Sequence, residues 1–95
     1  MAAYQVLFWR DIPSMVVARG DGREVQARMP QRYQDAIDEA AMAQGATDGA
    51  AYLEAWAWGP AAHREGSPEE VLRAVLEELE RSHPVASAGD AFSEA

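Results

Sequence analysis

His63 and His83 are the only histidines in the sequence, and neither stands in a pattern that metal or proton chemistry requires. A metal centre needs three or four convergent ligands. The sequence holds no H-E-x-x-H, no H-x-E with a following C-x-x-C, and no carboxylate-dense calcium loop. Arg64 and Glu65 follow His63, and His83 ends a helical pattern where a cation favours the dipole, so both read as surface residues. Ser14, Ser67 or Ser82 could be combined on paper with a histidine and an aspartate, but no nucleophile elbow frames any of them. The glycines fall in turns and at helix ends, not in a phosphate-cradling loop. With no cysteine, a thiolate nucleophile, a cysteine metal site and a disulfide framework are all excluded. The expectation is no catalytic residue, no metal and no cofactor.

Arg19-Gly20-Asp21 spells an integrin-binding tripeptide, but Gly20-Asp21-Gly22 is first of all the chemistry of a tight turn. Residues 1–5 lack a charged segment leading into a long apolar one, so no signal peptide is read, and no apolar run is long enough to span a bilayer. A soluble protein of a bacterial cytoplasm is expected.

The elements that would position these residues follow from period. Residues 4–9 (YQVLFW) are aromatic and branched, suiting a packed strand. Arg10-Asp11-Ile12-Pro13 breaks it, because proline removes a ladder donor. Residues 14–19 (SMVVAR) form a second strand. After the Gly-Asp-Gly turn, residues 23–29 alternate, with Val25, Ala27 and Met29 on one face. At Pro30 the period becomes helical: Tyr33, Ala36, Ile37, Ala40 and Ala41 make one apolar stripe, ended by Gly45. Thr47 or Asp48 can cap a short turn over residues 51–53. Trp56 and Trp58 would diverge on a helix and share a side on a strand, so residues 54–62 are expected as a fourth strand, which Gly59-Pro60 interrupts, making it an edge or shortening it. Ser67-Pro68-Glu69-Glu70 is a capping box, opening a helix to about Ser82 with Val71, Leu72, Val75, Leu76 and Leu79 inward. Glu69–Arg73 and Glu77–Arg81 are its i, i+4 pairs.

The expected fold is α+β: a small antiparallel sheet of three or four strands, with two main helices on one face, in β-β-β-α-(α)-β-α order. At 95 residues there is room for one domain, residues 1–84, followed by a disordered acidic tail, residues 85–95.

Charge is unevenly placed. Residues 1–34 carry five arginines against three acids, a net +2, and residues 35–95 carry −10, giving the overall −8. That excess disfavours nucleic acid and anionic membranes as partners.

The aromatic residues carry what functional signal there is. Both faces of the first strand are apolar, yet the helices cover only one, so Leu7 and Trp9 are expected on an exposed face. Trp9 and Arg10 at the strand end, joined by Trp58 and Arg64, form the expected contact surface for a protein partner or a homodimer. The alternative is a small-anion or enzymatic site built from Arg10, His63 and Arg64.

The segments YQVLFWRDIP (residues 4–13), YLEAWAWG (52–59) and GSPEEV (66–71) resemble the small bacterial family labelled "virulence factor" domain, which also occurs fused at the C-terminus of conserved virulence factor C-like proteins. The similarity covers about residues 3–84. It carries over no activity, cofactor or catalytic residue. It implies a stand-alone accessory protein. Because such genes often lie near folate and corrinoid enzymes, it implies an enzyme partner in one-carbon metabolism.

Overall fold

The computed structural model describes residues 1–43, 45 and 49–85. The elements run β1 (Ala2–Trp9), β2 (Ile12–Gly20), β3 (Arg23–Arg28), α1 (Gln31–Ala43), α2 (Gly49–Glu54), β4 (Trp56–Trp58), β5 (Ala62–Arg64) and α3 (Pro68–Ser82). The α+β class and the opening β-meander are as the sequence predicted. The sheet is antiparallel in the order β3-β2-β1-β4, with β5 also on β1.

Local chemistry explains the hairpins. Asp21 and Gly22 hold φ of 54° and 77°, closing a two-residue turn across which Gly20 pairs with Arg23. Arg10 also sits at positive φ, 55°, in the two-residue turn that sets Trp9 opposite Ile12.

Ile12 and Pro13 were expected to lie outside the second strand, but β2 includes both. Pro13 pairs with Phe8 where the β1–β2 register shifts between Leu7 and Phe8. A register shift is one of the few places where a strand tolerates a residue without an N–H. Burial of the Pro13 ring then decides the matter.

The expected fourth strand over residues 54–62 is corrected in detail. Glu54 belongs to α2, and the strand is split into β4 and β5, both on the free edge of β1. Gly59 still donates to the Val6 carbonyl at 2.8 Å. Pro60 cannot donate, so the pairing lapses before resuming at Ala62.

Helix α3 begins as its sequence dictates. Ser67 Oγ accepts from the Glu70 N–H at 3.2 Å, and the Glu70 carboxylate accepts from the Ser67 N–H at 2.9 Å. Its Val71, Val75 and Leu79 pack with Ala2, Val6, Val16, Ala18, Met29 and Tyr33. Helix α1 shares that cluster through Tyr33. One turn on, Ile37 and Ala41 pack with Trp9 in a second cluster, flanked by Tyr52 and Ala55. The thinnest extent is 17 Å, the depth of one helix layer on one sheet. Thr47, Asp48 and residues 86–95 lie outside the described residues. Val85, expected as the start of the tail, packs against the first cluster. No helix among the described residues is long and apolar enough to cross a membrane.

The carboxylates of α3 reach sideways to arginines of other elements, and among the described residues the expected Glu69–Arg73 and Glu77–Arg81 pairs along the helix do not form. Arg23 of β3 grips both Glu69 oxygens, at 2.6 and 2.8 Å. Arg32 of α1 holds Glu80 at 2.8 Å, and Arg64 of β5 holds Glu78. The Arg23 guanidinium, with the Glu69 backbone N–H, lowers the Glu69 carboxyl to about 2, and Arg64 likewise lowers Glu78. A carboxylate depressed in the folded state stabilises the fold while ionised, and that contribution disappears as pH falls through the folded value. The melting temperature is therefore expected to drop between pH about 4.5 and about 2. Thermal melts by circular dichroism test this. Arg23→Gln should flatten the drop, and an unchanged pH slope in that variant would rule out the Arg23–Glu69 assignment.

Candidate interaction surface

The side of the sheet away from α3 is built by alternation in three cross-strand rows. The first runs Glu24–Arg19–Ala3–His63, the second Gln26–Val17–Gln5, and the third Arg28–Met15–Leu7–Trp58. Residues opposite one another in an antiparallel pair point to the same side, so each row is a line of neighbouring side chains. None of these residues belongs to either core cluster.

The centre of this face is apolar. Leu7 and Met15 are half-buried, Val17 is buried between its neighbours, and Trp58 is 51% exposed. Gln5 donates through Nε2 to the Gly59 carbonyl at 3.2 Å, tying the face to the β4–β5 break. The polar edge is carried by β3, where Arg19 Nε donates to Glu24 at 2.6 Å.

The expected residues separate into those the fold brings together and those it does not. Leu7 and Trp58 are direct cross-strand neighbours on the open face. Trp9, expected beside them, is fully buried. It is the next residue on that side of β1, but Ile37, Ala41 and α2 cover it, and its indole N–H donates to the Tyr52 carbonyl at 3.1 Å. Arg10 is exposed at the turn, 5.2 Å from the Trp9 ring centroid. Arg64 lies on the helix side of the sheet, bound to Glu78 and 5.9 Å from the Tyr4 ring centroid.

The anion-site alternative is also corrected by this placement. His63 and Arg64 pair with Ala3 and Ala2 at the start of β1, whereas Arg10 follows its end. The separation is roughly 23 Å at about 3.3 Å per residue. Adjacent strand residues point to opposite faces, so His63 and Arg64 do not converge either. A groove of about 450 Å³ on α3 is lined by Glu69, Leu72, Arg73, Leu76, Glu77 and Glu80. A hollow of about 180 Å³ lies between Asp11, Ile12, Pro13, His83, Pro84 and Val85. Neither takes in Arg10, His63 or Arg64. Among the described residues, no three His, Asp or Glu side chains are grouped to hold a metal.

Sequence reasoning missed Met15 and Val17 as part of the open face. The signal was present: in residues 14–19, apolar residues occupy both faces of the strand, as they do in β1.

A family model described as "virulence factor" matches residues 7–87. No curated protein and no solved structure matches the chain.

Proposed function

The chain belongs to the virulence factor family, and from that premise we propose that it is a non-catalytic protein-binding module whose contact surface is the open sheet face around Leu7, Met15 and Trp58. The observation that carries this reading is Trp58. A tryptophan half-exposed beside Leu7, on a part of the sheet that no described helix covers, costs solvation unless a partner covers it. Tryptophan in an apolar patch with a polar rim is the composition of an interface hot spot. Arg10 at the neighbouring turn extends the surface beyond the sheet.

Nucleic acid is not the partner in this reading. The net charge is −8, and Arg19, Arg23, Arg32 and Arg64 are each engaged by a carboxylate of the same chain. The resemblance noted in the sequence extends the proposal to a partner class, an enzyme of one-carbon metabolism.

The test is quantitative affinity capture from native lysate, comparing the wild type with Trp58→Ala and with Leu7→Ser. A partner should be retained by the wild type and weakened at least about thirtyfold by Trp58→Ala, the loss of a hot spot worth about 2 kcal/mol. Circular dichroism should show both variants folded. Capture of the same proteins at the same strength by all three would exclude the open face as the contact surface.

A further inference from the structure

The two edges of the sheet are unlike. On one side β4 and β5 are three residues each, interrupted at Gly59-Pro60, a form that resists further strand pairing. On the other side β3 runs six residues with no proline and no register shift, and among the described residues it pairs only with β2. Glu24, Gln26 and Arg28 are all exposed there.

The hairpin sets which backbone groups this edge offers. In a two-residue turn the flanking pair, Gly20 and Arg23, exchanges hydrogen bonds, and bonded and non-bonded pairs then alternate along the ladder. Val25 and Ala27 thus bond inward to β2, while Glu24, Gln26 and Arg28 direct their N–H and C=O groups outward. Those three residues are also the ones whose side chains lie on the open face.

We infer that β3 pairs with β3 of a second copy, antiparallel about a two-fold axis at Gln26, joining two sheets into one. With Gln26 opposite Gln26, Glu24 of each copy meets Arg28 of the other, and Val25 meets Ala27. This register places every outward-bonding residue opposite another, and it brings together two pairs of opposite charges. A shift by two residues, setting Glu24 opposite Gln26, keeps fewer bonds and loses both charge pairs. Among the described residues Arg28 has no side-chain partner, and Glu24 is held by Arg19 only from the β2 side, so both are available for this pairing. The edge also lies in the basic half of an otherwise acidic chain, so two copies meet where their mutual repulsion is least.

This inference is independent of the open-face reading, because pairing at β3 leaves Trp58 free and makes the two open faces continuous.

Sedimentation velocity of the full chain across a concentration series tests the pairing. The wild type should show a monomer–dimer equilibrium. Arg28→Glu should raise the dimer dissociation constant at least about tenfold, since both charge pairs become repulsive. Glu24→Arg should do the same, and the doubly reversed Glu24→Arg/Arg28→Glu chain should recover dimerisation. An equimolar mixture of the two single variants should form the heterodimer. Gln26→Pro removes an outward N–H while leaving the β2 ladder intact, and should also yield monomer with an unchanged circular dichroism spectrum. A wild type that stays monomeric at the highest concentration would overturn the inference. So would a dimer indifferent to charge reversal, or one abolished by Trp58→Ala alone, which would place the contact on the open face.

Discussion

Trp9→Ala is expected to lower the free energy of unfolding by about 3–5 kcal/mol, the cost of truncating a large buried aromatic. The domain's whole stability is of the order of 5–15 kcal/mol, so this one change removes a large share of it. Trp9 is the central residue of the second core cluster, and Ile37 and Ala41 of α1 close over it. Tyr52 adds a ring contact at 5.9 Å between centroids and a carbonyl that accepts the indole N–H at 3.1 Å. Truncation therefore opens a cavity and strands a carbonyl at the same time. Trp9→Phe keeps most of the ring packing and loses only the hydrogen bond and some volume, so it should cost less than alanine. Urea unfolding followed by circular dichroism measures both. A Trp9→Ala unfolding free energy within about 1 kcal/mol of wild type would mean that this cluster does not hold α1 and α2 to the sheet. The same result bears on any binding experiment with Trp9→Ala: lost binding would report unfolding, not a lost contact. Trp58 is the residue to vary for that purpose.

Tyr33→Ala is expected to be nearly as damaging, again about 3–5 kcal/mol, but for a different architectural reason. Tyr33 is 1% exposed and packs in the first cluster from the start of α1. Its hydroxyl donates to the carbonyl of His83 at 2.8 Å, just past the end of α3. That carbonyl belongs to a helix terminus with no intrahelical donor, so the phenol acts as a cap supplied by another element. Burial pushes the phenol above its ordinary value. Tyr33→Phe isolates the bond and should cost about 1 kcal/mol, while Tyr33→Ala adds the cavity. Equal losses in the two variants, read from urea midpoints, would show that packing contributes nothing here and would refute the cluster as described.

Much of the fold was legible because its signals are local. The Asp21-Gly22 turn, the capping box at Ser67 and the stripe of α3 each depend on residues within one turn or one helix. Their outcomes match the sequence reading closely. The misreadings occur where a distant element intervenes. The sequence places Pro13 outside the second strand, but a register shift opposite Phe8 absorbs its missing donor, and burial holds it there. For residues 54–62 the sequence leaves open whether Gly59-Pro60 makes the strand an edge or shortens it, and pairing along β1 decides it, keeping two three-residue ends and dropping the middle. The ion pairs expected along α3 are replaced by bridges to β3, α1 and β5, because neighbouring elements bring arginines closer than the helix does.

By itself, the sequence determined that this chain lacks the ligand spacings of a metal or nucleophile site. It also determined that the first strand is apolar on both faces. Only the tertiary structure decided which of those apolar residues meets water. Alternation puts Leu7 and Trp9 on the same side of β1, and nothing local distinguishes them. The C-terminal half of α1 and α2 fold over Trp9, while no described helix covers Leu7, which lies beside Trp58. A residue's periodicity determines which way it points. What it meets there depends on segments far along the chain.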